Sequence, residues 1–203
     1  MREKPAAEPE GQPQEEFGWI RAFQAGERDA FDRLVLRYQD RIVNLCFRML
    51  ADREEAFDSA QETFVKAFRS LGGFQFRSSF STWLYAIAAN TCRNRLASLE
   101  HRVKSRTLPL NPSARSDEWA VGMDLEDPSP SPLAQLSTKE RDRLVQEAIS
   151  SLPGDARTVV VLRDVEGLSY EEITEITGYN LGTVKSKLAR ARQQLRERLK
   201  GVI

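Results

Sequence analysis

The sequence predicts an all-α protein made of two small helical domains joined by a flexible linker. Three observations carry this reading. Apolar residues in both halves recur at steps of three and four, the spacing that lines one face of a helix. Neither half shows a strand signal. Between them, residues 106–136 lose all periodicity and set Pro109, Pro112, Pro128, Pro130 and Pro132 among Ser, Asp and Gly. A structureless loop of that length inside one compact domain is uncommon, which favours two domains. The expected organisation is a disordered tail over 1–15, a first domain over 16–105, an acidic, Pro-rich linker over 106–136 and a second domain over 137–203.

The first sixteen residues are rich in Pro, Glu and Gln and lack the apolar stretch of a signal peptide. A short helix around Trp19 to Ala25 is expected to pack on the elements that follow. From Asp29 to Leu50, the residues Leu34, Tyr38, Ile42, Leu45 and Met49 mark one apolar helix face. Asp52, with Glu55 three residues on, has the pattern of a capping box and opens a second helix. Its core face is read as Phe57, Ala60, Phe64, Phe68 and Leu71, with Gly72 and Gly73 as the stop. After a loop from Phe74 to Ser79 a third long helix begins. One of its faces holds Phe80, Trp83 or Leu84, Ile87 and Thr91, and its polar side holds Asn90, Arg93 and Asn94. Helices with such short connections form a bundle.

Order resumes at Ser137, which with Glu140 matches a second capping box, before a helix ending near Leu152. Pro153 and Gly154 break the chain, and a helix from Asp155 to Val165 runs to Gly167. Ser169 and Glu172 cap a short helix through Thr177. Gly178 makes a turn and Asn180 opens the last long helix.

The formal net charge is zero, yet the cations are concentrated. Lys185, Lys187, Arg190, Arg192, Arg196, Arg198 and Lys200 crowd the C-terminal helix, opposed locally only by Glu197. The stretch 117–127 is acidic. Segment 169–199 has the layout of a helix-turn-helix, with Ile173, Ile176, Val184 and Leu188 placed to pack its two helices together. Thr183, Lys185, Ser186, Ala189 and Arg190 are then left to face outward near the start of the second helix. In this motif that end enters the major groove, where Lys and Arg read guanine edges. Arg192 and Arg196, further along, suit phosphate contacts. A charged helix kept merely for solubility would mix signs for i,i+4 pairing, and this one barely does.

Enzymatic classes find little support. Cys46 and Cys92 lie far apart within apolar helical patterns and read as two reduced core thiols, and neither a disulfide framework nor a metal site has enough ligands. His101 stands alone among charged residues, without the nucleophile or carboxylate partner that catalysis needs. No catalytic residue, metal or cofactor is expected. No apolar run approaches the ~20 residues of a membrane span, so no membrane insertion is expected and the cytoplasm is the expected compartment.

The run Leu152-Pro153-Gly154-Asp155-Ala156-Arg157, then Leu162 through Ile173, then Gly182-Thr183-Val184-Lys185-Ser186-Lys187-Leu188 and Arg190-Ala191-Arg192, resembles the −35 domain of extracytoplasmic-function sigma factors. The first half resembles the matching −10 domain. Asp58-Ser59-Ala60-Gln61-Glu62-Thr63-Phe64 is similar to the family's polymerase-binding helix, and Phe80-Ser81-Thr82-Trp83-Leu84-Tyr85 with Ala88-Ala89-Asn90 to its −10 recognition helix. The resemblance implies a promoter-specific initiation factor that binds core RNA polymerase through the β′ clamp helices and the β subunit, reads promoter DNA, and answers to an anti-sigma factor. It implies that Asp58, Gln61 and Glu62 meet the polymerase, and that Phe74, Arg77, Ser78, Asn90 and Arg93 meet the −10 strand. It gives Thr183, Lys185, Ser186, Ala189, Arg190 and Arg192 to the −35 duplex. A flipped base needs an aromatic and polar pocket to offset its unstacking. Phe74 is either part of such a pocket or a core anchor, and Trp83 is assigned first to core packing. The competing class is a stand-alone helix-turn-helix regulator, which leaves the Asp58/Gln61/Glu62 face unexplained.

Overall fold

The computed structural model describes residues 12–105 and 132–200, all in helices, turns and short connections. Four helices form the first domain: α1 (Gln12–Gln24), α2 (Ala30–Leu50), α3 (Arg53–Ser70) and α4 (Phe80–Ser105), with a 3-10 turn at Leu71–Gly73. The second holds α5 (Pro132–Ser150), α6 (Gly154–Val160) running into a π-helical turn at Val161–Val165, α7 (Tyr170–Thr177) and α8 (Leu181–Arg198). The acidic stretch 117–127 lies outside the described residues, as does the side chain of His101.

The apolar stripe of α2 is buried as its period requires: Leu34, Tyr38, Ile42, Leu45 and Met49 are all under a twentieth exposed. On α3 the expectation needs correction. Its packed face is Ala56, Ser59, Ala60, Thr63 and Ala67, while Phe57 is 42% exposed and Phe64 and Phe68 are half-buried. Small residues let α3 approach α2 and α4 closely, and the large rings are displaced to the edges. Phe68 there packs against Phe23 and Phe31, with ring centroids 5.2 Å from each.

Capping also departs in part. Asp52 accepts from the Glu55 amide at 2.9 Å, but the Glu55 carboxylate is engaged by Arg95 of α4 instead of returning to the cap. Ser137 lies within a helix rather than at its start, because α5 begins at Pro132, and residues 132–136 are helix rather than linker. Proline at the start of a helix costs no hydrogen bond, since the first amides have no intrahelical acceptor. Likewise α1 already starts at Gln12, inside the expected tail. The Ser169–Glu172 box is complete in both directions, and Gly178 closes α7 at φ 72°.

The two domains pack against each other, and one contiguous apolar cluster runs from Leu34 and Leu84 to Val159, Leu162 and Ile173. The contact is built on the C-terminal end of α2 and one flank of α4. Gln146 of α5 donates to the carbonyls of Phe47 and Arg48 at 3.3 and 3.4 Å, and Arg157 of α6 donates to that of Met49 at 2.5 Å. Phe47 also accepts from the Ala51 amide that caps α2, whereas later carbonyls at a helix end lack intrahelical partners, and there the second domain supplies donors. On α4, Thr82 donates to Glu172 at 2.8 Å and Tyr85 hydrogen-bonds Glu166. Burial pushes the Glu166 carboxyl upward, against the opposing pull of Tyr85, Arg41 and Arg48.

Cys46 on α2 and Cys92 on α4 are fully buried, and the fold makes them neighbours. The Cys92 thiol, then burial, push the Cys46 thiol far up, which leaves it protonated and unreactive.

Two outcomes follow from these features. Gly178→Ala should cost about 1–2 kcal/mol in denaturant unfolding, because a Cβ is disfavoured in the left-handed region. Glu166 holds its proton more tightly folded than unfolded, so the native state binds more protons and stability should fall as pH rises through the end of the carboxylate range. Glu166→Gln should flatten that fall in denaturation midpoints measured from pH 4 to pH 8.

Candidate nucleic-acid interface

Local sequence sets the orientation of α8. Asn180 caps it, its side-chain oxygen accepting from the Thr183 amide at 2.8 Å, and Gly178 turns the chain so that α8 leaves α7 at once. Val184, Leu188 and Ala191 are buried with Ile173 and Ile176 of α7. That packing leaves Lys185, Ser186, Ala189, Arg190 and Arg192 exposed and Thr183 half-buried at the end of the helix, as the periodicity predicts. Ser186 spends its hydroxyl on the Thr183 carbonyl at 3.0 Å. The Lys185 ammonium lies 5.8 Å from the Tyr170 ring centroid, close enough for a cation–π attraction without removing it from solvent.

The cations of α8 are less alone than the sequence suggests. Lys187 is bonded to Asp155 at 3.0 Å and sits over the Tyr179 ring, and the Arg192 guanidinium holds the Asp164 carboxylate, with Nε–Oδ2 at 3.0 Å. The Lys187 ammonium and the Tyr179 hydroxyl keep the Asp155 carboxyl below its ordinary range, while Asp164 raises Arg192. Both acids come from the α6 segment, which packs across α8 and lies some 30 positions away in sequence. No scan along α8 itself could reveal them. Arg192, expected to be a free phosphate ligand, must therefore exchange one anion for another.

In the first domain the loop before α4 is held from beneath. Phe74 is 8% exposed, its ring centroid 5.0 Å from Phe76, 5.1 Å from Trp83 and 6.2 Å from Phe80. Gln24 of α1 donates to the Phe74 carbonyl at 2.9 Å. Of the two readings of Phe74, the geometry gives the core anchor. Arg77 is exposed and Ser78 half-buried, and Phe76 takes a left-handed φ of 56° that turns the loop outward. A non-glycine residue seldom sits there, and such outliers persist where surrounding contacts hold them. Trp83 packs on Phe74 and Phe80, in keeping with its core assignment.

Asn90 is exposed and accepts from the Arg93 guanidinium one turn on. Ten residues of helix, about 15 Å, separate it from the start of α4 beside which Phe74 packs. Loop and helix therefore offer two patches, Arg77/Ser78 and Asn90/Arg93, and not a single pocket.

On α3, Asp58, Gln61 and Glu62 share an exposed face. Asp58 lies 3.6 Å from Arg95 and Glu62 2.7 Å from Lys66. Such exposed pairs are worth little and exchange readily. The side chains that sequence reasoning missed are Phe57 and Val65, 42% and 47% exposed in line with Gln61, so the face is apolar as well as acidic. A heavier weight on the Ala56/Ala60/Ala67 spacing would have placed them outward.

Among the described residues no cluster of three His, Cys, Asp or Glu side chains could hold a metal ion, and no helix is long and apolar enough to cross a membrane. Residues 34–102 match the family model for Sigma-70 region 2, and residues 142–195 that for Sigma-70, region 4. The chain is 38% identical to the RNA polymerase sigma-H factor of Pseudomonas aeruginosa over 91% of its own length and 93% of that protein's. It is 37% identical to the ECF RNA polymerase sigma-E factor of Haemophilus influenzae, over 89% and 93%. The sigma factor RpoE in complex with the anti-sigma factor NepR from Bartonella quintana shares the fold, with TM-score 0.65, 24% identity and coverage of 84% of this chain and 96% of that one. CnrH in complex with the cytosolic domain of CnrY does so at TM-score 0.61 and 21% identity, over 92% and 98%. Both domains are present in family order, which a stand-alone helix-turn-helix regulator would not require. The chain belongs to the extracytoplasmic-function sigma factors of the Sigma-70 family, whose members are RNA polymerase initiation factors and not enzymes.

Proposed function

We propose how this sigma factor divides its work among residues, the carrying observation being the cationic start of α8 held outward by the helix-turn-helix. Thr183, Lys185, Ser186, Ala189 and Arg190 read the −35 duplex in the major groove, and Arg192 holds a phosphate after leaving Asp164. Arg77 and Ser78 on the loop, with Asn90 and Arg93 on α4, engage the unpaired −10 strand. Phe74 fixes the loop from below.

The Asp58/Gln61/Glu62 face, with Phe57 and Val65 beside it, docks on the β′ clamp helices of core polymerase, where basic partners replace Arg95 and Lys66. The second domain meets the β subunit. The first domain runs to the end of α4 and the second begins with α5. The protein works in the cytoplasm, where the polymerase is, and an anti-sigma factor holds it inactive, as one is bound to the Bartonella factor.

Transcription from a candidate promoter with purified core enzyme tests the whole. Lys185→Ala with Arg190→Ala should lower −35-dependent initiation by about ten-fold or more, since each base-reading side chain discriminates by ~1–3 kcal/mol, with holoenzyme assembly unchanged. Unaltered promoter choice would overturn the −35 assignment. Asp58→Lys with Glu62→Lys should weaken association with core polymerase in titrations, while duplex binding by the second domain stays as it was. Normal assembly would remove α3 from the polymerase interface.

A further inference from the structure

The loop before α4 joins α1 in a run of rings that starts in the core and ends in solvent. Phe74 packs on Trp83, and its ring centroid lies 5.0 Å from Phe76. Phe76 is half-buried and lies 4.8 Å from Phe17 of α1, which is 48% exposed. Arg21, one turn after Phe17, sets its guanidinium 5.2 Å from the Phe17 ring centroid and 4.7 Å from that of Phe76.

Two features suit the outer end of this run to binding. Glu15 and Glu16, the carboxylates of α1, are turned to Arg37 at 3.8 and 3.1 Å, and Glu16 also accepts from Tyr38 at 2.6 Å. The acids of its own helix therefore leave Arg21, which is exposed, uncompensated. The rings are also placed before any ligand arrives. Gln24 ties α1 to the loop through the carbonyls of Leu71 and Phe74 at 3.3 and 2.9 Å, and Phe76 is held at a left-handed φ of 56°. An exposed ring beside an exposed guanidinium is the chemistry that accepts a nucleobase: the ring stacks on the base face and the cation attracts the adjoining phosphate.

We propose that Phe17 and Arg21 of α1, with Phe76, form a stacking platform for an unpaired base that flanks the −10 nucleotides. The proposal rests on the assignment of the loop and α4 to the −10 strand. Arg77 follows Phe76 directly, so the platform continues that surface. It lies outside the segment matched to Sigma-70 region 2, which begins at residue 34. Its occupant is a single strand, because stacking on a protein ring needs a base face that a duplex keeps covered. Stacking tolerates any base, so the platform adds affinity for the opened strand at a position whose sequence is not read.

The test uses holoenzyme assembled from the full chain and purified core polymerase. The probe is a dye-labelled non-template-strand oligonucleotide bearing the −10 element of a candidate promoter and its flanking nucleotides. Phe17→Ala should weaken binding in anisotropy titrations by about ten-fold, one stacked base being lost. Phe17→Trp should bind at least as tightly as the parent, whereas Phe17→Leu, which still covers Phe76, should fall with the alanine variant. Arg21→Gln should weaken binding several-fold and make its salt dependence shallower. Replacing flanking bases one at a time by abasic sites should reveal one position whose loss costs the parent about ten-fold and costs Phe17→Ala nothing further.

Full binding by Phe17→Leu overturns the platform, since the ring then has only a packing role. So does an abasic series in which every loss costs Phe17→Ala as much as the parent. Arg77→Ala with Asn90→Ala judges the −10 assignment separately: normal binding by that pair removes it, whatever the coupling between Phe17 and the abasic position.

Discussion

One carboxylate holds two levels of the structure together. Glu172 accepts from the amide and the hydroxyl of Ser169, both at 2.8 Å, and from Thr82 of the other domain at the same distance. Burial alone would raise its pKa, but the bonds to Ser169 and Thr82 outweigh that and hold it low. The cap that starts α7 is thus also the point where α7 meets α4. The recognition helix inherits its direction from α7 through Gly178, so the geometry of the DNA-reading surface and the docking of the domains share one anchor.

Much of this was legible in the chain, and the limits have physical causes. The stripe of α2, the Ser169–Glu172 box, Gly178 and Asn180 obey local rules that act within four residues, and these are where expectation and structure coincide. The errors fall where packing decides. Phe57 reads as part of the core face with Ala60, Phe64, Phe68 and Leu71, yet close helix approach selects the Ala56/Ala60/Ala67 face. Ser137 matched a cap pattern, but the helix had already begun at Pro132. Of the candidate site, the outward face of α8 and of α3 could be read from helical period. The partners Asp155, Asp164 and Arg95 could not, since each pair joins residues roughly 30 to 40 apart.

The domain contact lies further still from local rules. Pairs such as Met49–Arg157 and Thr82–Glu172 span 108 and 90 positions. Each residue taken singly has an ordinary local explanation: a helix C-terminus, a polar turn, a capping acid. Only the three-dimensional arrangement shows that the unsatisfied end of α2 and the polar flank of α4 complement the second domain.

The acids clasped to α8 bear on how the protein would meet a polyanion. Bare cations that neutralise phosphates release the counterions condensed on any nucleic acid, so their affinity is high everywhere and collapses as salt is added. Here Asp155 and Asp164 are covalently attached counterions already seated on Lys187 and Arg192. When phosphate takes their place, fewer free ions are released than the cation count of the helix implies. On the proposed −35 surface this would tax random-sequence binding and make its salt dependence shallower, and Lys185 and Arg190 would carry proportionately more of the discrimination.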